Sequence, residues 1–166
     1  MGSGKSTLGK LLQTQLVSQA DPSVQLVDLD DEIVRQAGKS IPQIFADSGE
    51  QVFRDLECVC LARCLEKSGS QIIATGGGAI LSADNRALMQ QKSTVIWLHA
   101  SPEILAQRIA GDRNRPLLDG EDALQKIRAL SVVRNPLYAE IADLRVDTGL
   151  LSDQEAISSI LEFMAE

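Results

Sequence analysis

The chain opens with the glycine-rich stretch Met1-Gly2-Ser3-Gly4-Lys5-Ser6-Thr7. Its last four residues match the end of a phosphate-binding loop of the Walker A type, G-x-x-x-x-G-K-[ST]. Glycines let backbone N–H groups curve around phosphate oxygens, and the N-terminus of the following helix adds partial positive charge. Lys5 would reach the β- and γ-phosphates of a nucleotide, and the Ser6 hydroxyl would ligate Mg²⁺. Taken alone, the stretch could also be a glycine-rich turn before a helix.

Beyond this loop, helical segments alternate with short apolar strands. Apolar spacing predicts helices over 6–19, 30–37, 41–47, 49–67, 84–91, 102–110, 121–134, 136–142 and 153–165, and strands over 25–29, 71–75, 94–98 and 144–147. Strands separated by helices require right-handed crossovers. The pattern therefore predicts an α/β fold, a three-layer sandwich whose helices cover both faces of a mostly parallel sheet.

Length and charge narrow the class of protein. A chain of 166 residues suits a single domain, 1–166, and its net charge of −7 argues against a general binder of nucleic acid or anionic membranes. No apolar run is long enough to cross a bilayer and no signal peptide opens the chain, so we expect a cytoplasmic protein. We also expect a monomer, because no segment of the sequence calls for a partner chain. Cys58, Cys60 and Cys64 fit a helix core, and His99 fits a loop at a strand end.

Polar and glycine-rich segments follow the predicted strands, where a parallel sheet binds its ligands. Asp28 and Asp30 follow one strand, and the three glycines 76–78 follow the next. Two carboxylates there could help hold Mg²⁺ and face an acceptor hydroxyl. The alternatives are a helix N-cap at Asp30 or Asp31 and a loose glycine turn.

Arginines mark three further places. Arg54 and Glu57 are spaced as a surface pair on one helix face. Residues 111–120 form a polar loop that has the character of a lid and carries Arg115. Arg134 ends a predicted helix broken by Pro136, where capping of the helix C-terminus would explain it without function.

Six segments, in this order, resemble the shikimate kinase family: GSGKST at 2–7, DLD at 28–30, FRDLE at 53–57, GGG at 76–78, RNRPLL at 113–118 and RNPLY at 134–138. The resemblance extends over essentially the whole chain. It implies a P-loop NTPase fold like that of the nucleoside-monophosphate kinases. It also implies transfer of the γ-phosphoryl group of ATP, with Mg²⁺, to the 3-hydroxyl of shikimate in aromatic biosynthesis.

The resemblance also implies roles for individual residues. The nucleotide would contact Gly2, Ser3, Gly4, Lys5, Ser6, Thr7, Arg108 and Arg115, with Arg108 on the adenine and Arg115 in the lid. Shikimate would contact Asp30, Arg54, Glu57, Gly77, Gly78 and Arg134. Within that set, Arg54 and Arg134 would bind the carboxylate of shikimate, and Asp30 would face the hydroxyls of shikimate as the candidate base. The backbone N–H of Gly77 would donate to the substrate, and Glu57 would hold part of the pocket together. Ser6 and Asp28 would hold Mg²⁺; Lys5, Asp30 and Arg115 would serve the transfer itself.

The chain departs from the family pattern at its start. The first glycine of the motif would fall two positions before Met1, and the strand that feeds the loop, central in the family's sheet, is absent from this sequence. We therefore expect the chain as given to be unstable or poorly active. At Leu151 some members have a polar residue, so the adenine contacts there are open. The alternatives are a gluconate- or nucleotide-kinase-like enzyme and a non-catalytic binding relative.

Overall fold

The computed structural model describes residues 2–19, 21–110 and 121–165, and for residues 121 and 122 only the backbone. In these ranges helices alternate with strands, as the sequence predicts. The helices are α1 Lys5–Gln19, α2 Leu29–Ala37, α3 Ile41–Glu66, α4 Ala83–Lys92, α5 Pro102–Ala110, α6 Glu121–Ile141 and α7 Asp153–Ala165. The strands are β1 Gln25–Asp28, β2 Gln71–Ala74, β3 Ile96–His99 and β4 Leu144–Asp147. The predicted lid, residues 111–120, lies outside the described residues.

Two compact units make up the structure: Gly9–Ser93, and Met1–Leu8 together with Thr94–Glu166. In the first unit β1 and β2 pair in parallel, so that Gln25 lies opposite Gln71 and Asp28 opposite Ala74. In the second unit β3 and β4 also pair in parallel. The predicted α/β fold with parallel strands is therefore confirmed, and in each unit the carboxyl ends of the paired strands lie side by side.

The core of the unit Gly9–Ser93 is built where α2 packs on α3. Leu29, Ile33 and Leu61 are almost completely buried there. Cys60 and Cys64 are also buried, as predicted, and burial raises the pKa of both thiols, with the neighbouring Cys64 adding to the shift at Cys60. These two cysteines are apolar packing residues.

Helix α3 contains a sharp break at Gly49. The residue has φ 80° and ψ 175°, a conformation that only glycine adopts readily, between two helical segments. The first segment begins with a capping box, in which Ser40 and Gln43 satisfy each other's backbone N–H groups. The sequence predicted two helices here, and the break confirms that division. It also sets the direction from which residues 50–57 approach the strand ends.

In the second unit the end of β3 corrects the prediction for His99. This residue is the last of the strand rather than part of a loop, and it pairs with Asp147 of β4. Its Nδ1 lies 2.9 Å from the Asp147 Oδ2. Arg145 approaches the same ring nitrogen, with its Nη2 at 3.0 Å. His99 therefore has a charged partner inside the sheet, which its position in the sequence did not indicate.

Helix α6 corrects a second prediction. The sequence predicted a break before Pro136, but the helix continues through it to Ile141. Proline removes one backbone hydrogen bond from a helix interior. The packing of the following turns outweighs this loss, because Tyr138 stacks on Trp97 at 5.6 Å between ring centroids and Ile141 is buried. Arg134 therefore lies within a helix, and capping of a helix end no longer explains it.

Candidate active site

The opening loop has the backbone conformation that its glycines predict. Gly2 and Gly4 have φ values of 71° and 87°, in the left-handed region that disfavours other residues. Lys5 is the first residue of α1, and the N–H of Leu8 donates to the Gly4 carbonyl at 2.8 Å. The loop thus turns directly into a helix N-terminus. The side chains of Ser6 and Thr7 are exposed beside it.

Arg108 of α5 links this loop to the end of β4. Its Nη1 donates to the Gly2 carbonyl at 3.1 Å and to the Thr148 Oγ1 at 3.2 Å, and its Nη2 donates to the Thr148 carbonyl at 2.5 Å. Thr148 is buried, and its own N–H donates to the His99 carbonyl. These bonds lie in the guanidinium plane, so they use the edge of the group and not the face that would stack on a base.

In the other unit, Asp28 joins β1 to α2. Its Oδ1 accepts the N–H of Asp30 at 3.0 Å, which makes Asp28 the N-cap of the helix. The sequence placed a possible cap at Asp30 or Asp31, and that alternative is wrong because the helix begins one residue earlier. Capping fixes the turn and leaves the Asp30 side chain in the first turn of α2, at the carboxyl end of the sheet.

The glycine turn after β2 lies against two carboxylates. A Cβ atom built on Gly76 would stand 3.2 Å from the Asp30 Oδ1 and 3.3 Å from the Glu57 Oε1. Both acidic side chains therefore converge on the backbone at this position. Gly76 belongs to the three glycines 76–78, but its position in the sequence did not predict a role of its own.

The last glycine of the turn makes room for Arg54. A Cβ on Gly78 would stand only 2.6 Å from the Arg54 Cζ, closer than side chains come to one another. The guanidinium thus lies directly on the Gly78 backbone. Gly77, between these two glycines, brings its peptide to the same place. The turn is therefore a closely packed wall of the Arg54 site rather than a loose connection.

Two glutamates hold the Arg54 guanidinium. Its Nη1 donates to the Glu57 Oε2 at 2.7 Å, while its Nε and Nη2 donate to the Glu50 Oε1 at 3.3 and 3.1 Å. The Glu57 side chain is only 2% exposed, so the pair is not the surface pair that the spacing suggested. Burial lowers the pKa of Arg54, but Glu57 and then Glu50 outweigh that effect and raise it. The cation is permanently charged and faces the glycine turn.

Arg134, in the unit that contains α6, has a buried Nε atom that finds no hydrogen-bond partner among the described residues. A buried donor without a partner is costly, by roughly 1–3 kcal/mol. Such a donor is expected where a ligand supplies the acceptor. Arg115, the arginine that the family resemblance assigns to the transfer, lies outside the described residues.

A family model described as shikimate kinase matches residues 1–165. The chain belongs to the shikimate kinase family. Shikimate kinases of Xanthomonas campestris pv. campestris (strain 8004) and Geobacter sulfurreducens are 40% and 41% identical to it. These alignments cover 97% and 100% of this chain, and 86% and 87% of the relatives.

Solved structures of shikimate kinases have the same fold. The enzyme from Acinetobacter baumannii, described as a complex with shikimate, gives a TM-score of 0.85 at 36% identity over 99% of this chain and 88% of its own. The enzyme from Aquifex aeolicus gives 0.80 at 32% identity, over 99% and 92%.

These shikimate kinase matches confirm the family and the P-loop NTPase fold that the six segments predicted. They also confirm the predicted class of enzyme, an ATP-dependent shikimate kinase. The alternative of a gluconate- or nucleotide-kinase-like enzyme loses its support, because relatives of the shikimate kinase family match nearly the full chain. No described helix is both long enough and apolar enough to cross a membrane.

Proposed function

We propose that this chain transfers the γ-phosphoryl group of ATP to the 3-hydroxyl of shikimate, and that the acceptor is held by the cluster around Arg54. The observation that carries the proposal is the Arg54 guanidinium, placed between the buried Glu57 and the Gly78 backbone. An arginine fork matches the planar geometry of a carboxylate, which lysine does not. A cation fixed on the glycine turn that the Asp30 carboxylate also reaches suits a ligand with an acid group and several hydroxyls.

In this proposal, Asp30 and the glycine turn bind the hydroxyls of the acceptor. The Asp30 carboxylate converges with Glu57 on Gly76, so it accepts from ring hydroxyls at the same wall on which Arg54 lies. The peptide N–H groups at Gly77 and Gly78 serve as donors to the ligand. Arg134 adds a second guanidinium for the carboxylate, which would give its buried Nε region an anionic neighbour. Glu57 keeps the Arg54 fork in place.

ATP belongs on the opening loop. Residues Gly2–Thr7 turn into the N-terminus of α1, where backbone N–H groups and the helix dipole favour phosphate. Lys5 neutralises the β- and γ-phosphates, and Arg108 presents its guanidinium face to the adenine. The contact between Arg108 and the Gly2 carbonyl ties the base side of the site to the phosphate loop.

Transfer of the phosphoryl group needs positioning and charge neutralisation more than a strong base. Lys5 and Arg115 provide positive charge for the oxygens of the transferred group. Asp30 orients the acceptor hydroxyl and takes its proton as the new bond forms. The loop 111–120, which carries Arg115, acts as the lid that excludes water.

The proposed Mg²⁺ ligands fit the metal chemically. Ser6 supplies a hydroxyl and Asp28 a carboxylate, the hard oxygen donors that Mg²⁺ prefers, and capping of α2 occupies only the Oδ1 of Asp28. Among the described residues, no three acidic, histidine or cysteine side chains are grouped to hold a metal ion alone. The ion would therefore be shared with phosphates, where it neutralises their charge. We further propose that the chain works as one kinase domain and as a cytoplasmic monomer.

A substrate panel tests this proposal. ADP release is measured with shikimate, shikimate methyl ester, gluconate and a nucleoside monophosphate at fixed ATP and Mg²⁺. We expect turnover with shikimate and a large loss with the ester, because the ester removes the charge that Arg54 binds. Comparable turnover with gluconate or the nucleotide would overturn the proposal. Bound ATP with no acceptor-dependent ADP release would instead indicate a non-catalytic relative.

A further inference from the structure

The Arg54 guanidinium already carries a protein carboxylate on one of its paired-donor edges. A guanidinium offers paired N–H donors along its edges, and a carboxylate binds best to such a pair. Glu50 takes the edge formed by Nε and Nη2, through a single oxygen at 3.3 and 3.1 Å. Glu57 takes Nη1 on the opposite side. Arg54 is thus engaged from two directions by protein carboxylates.

These two glutamates differ in how firmly they are held. The Glu57 side chain is 2% exposed, so moving it would strip a buried charge of its partner. The Glu50 side chain is 65% exposed, and water can replace Arg54 as its partner at little cost. Glu50 is also the residue directly after the break at Gly49, in the first turn of the second helical segment. It is therefore the carboxylate that can leave.

We propose that Glu50 is a displaceable carboxylate that occupies the Arg54 fork and must be expelled by the carboxylate of the acceptor. The inference rests on the proposed role of Arg54 in acceptor binding. As a consequence, Glu50 lowers the affinity of Arg54 for every acid ligand, because Glu50 competes with the ligand for the same edge of the guanidinium. A planar carboxylate that binds with both oxygens displaces the single-oxygen contact of Glu50. Glu50 is thus a residue that sets the affinity for the acceptor, and it is not a catalytic residue.

The direct test is Glu50→Gln, which keeps the shape of the side chain and removes its charge. We expect the KM for shikimate to fall by about two- to fivefold, the value of an exposed ion pair, with kcat unchanged. The matched control is Asp55→Asn on the same helix, because Asp55 pairs with Gln51 at 2.9 Å rather than with Arg54. The control removes an equal charge and should leave the KM where it was.

A second comparison separates displacement from general electrostatics. In an Arg54→Ala background there is no fork to compete for, so Glu50→Gln should leave the KM for shikimate unchanged, and the two changes should be non-additive. An equal fall in KM in both backgrounds would show only long-range repulsion. A rise in KM on Glu50→Gln would show that Glu50 supports Arg54 instead of competing for it.

The same set of variants distinguishes this inference from the proposed function. If Arg54→Ala leaves the KM for shikimate unchanged, the assignment of Arg54 as the carboxylate-binding group fails, and the inference fails with it. If Arg54→Ala raises that KM while Glu50→Gln does not lower it, only the competition by Glu50 is overturned.

Discussion

The guanidinium of Arg54 lies on the backbone of Gly78, in the space that any larger residue at that position would fill. Arg54 comes from the middle of α3 and Gly78 from the turn after β2, so the contact joins the helix to the carboxyl end of the sheet. The position of the guanidinium therefore depends on the absence of a side chain at Gly78.

Substitution at the turn should therefore act through the arginine. We expect Gly78→Ala to raise the KM for shikimate by about tenfold or more, because the added Cβ forces the guanidinium off its wall, while the KM for ATP stays within about twofold. Steady-state kinetics with each substrate varied will show the split. In an Arg54→Ala background the glycine substitution should add little further effect. A full additional loss there would indicate that the alanine damages the turn itself.

The two glutamates that hold Arg54 should differ in their effect on stability. Glu57→Gln removes a buried charge from a 2.7 Å pair and should lower the free energy of unfolding by about 1–3 kcal/mol. Glu50→Gln, at an exposed position, should change it by less than about 0.5 kcal/mol. The free energy of unfolding is measured by denaturant unfolding of the two variants and the wild type. Equal effects would mean that burial of Glu57 contributes nothing to the pair.

Much of this arrangement follows from the sequence. The glycine triple and Asp28-Leu29-Asp30 each follow a strand, and the parallel register that brings Asp28 opposite Ala74 makes the two turns neighbours. The match of six ordered segments to one family then gave the chemistry. Local patterns were sufficient to predict this arrangement because the ends of the strands, the helix cap and the glycines all place it at the same edge of the sheet.

What the sequence did not predict depends on packing between distant residues. Pro136 is typical of a helix break, but α6 continues past it, where Tyr138 stacks on Trp97 and Ile141 is buried. The spacing of Glu50, four residues before Arg54, would have allowed their contact to be proposed. It could not show which of two glutamates is buried, since that depends on how α3 meets the sheet. The break at Gly49 was visible as a glycine, but its geometry was not.

The phosphate loop provides a test on the nucleotide side. Gly4 has φ 87°, where an alanine is strained by about 1–2 kcal/mol, so Gly4→Ala should distort the loop and weaken ATP binding by up to about thirtyfold. The KM for shikimate should change far less. Thr14→Ala, on an exposed turn of the same helix, is the control and should leave both constants unaltered. Unchanged ATP binding in Gly4→Ala would show that the loop is not part of the nucleotide site.

Asp147 should make the protein sensitive to acid. Burial raises the pKa of its carboxyl, but the hydrogen bond to His99, the N–H of Gly149 and nearby positive charge outweigh this and lower it below 3.8. A lowered pKa means that the stabilisation is complete above the unfolded value of 3.8 and is lost as the pH falls through the folded value. We expect the Tm difference between wild type and Asp147→Asn to shrink below about pH 4. Parallel curves down to pH 2.5 would contradict this.

The kinetics of Arg54→Ala measure directly whether Arg54 binds the carboxylate of the acceptor. Loss of a charge-assisted fork should raise the KM for shikimate by about 10- to 100-fold, with the KM for ATP nearly constant. Arg63→Ala removes a guanidinium from an exposed position of the same helix and should change neither constant. An unchanged KM for shikimate in Arg54→Ala, or an equal rise in the KM for ATP, would show that Arg54 is not the group that binds the carboxylate of the acceptor.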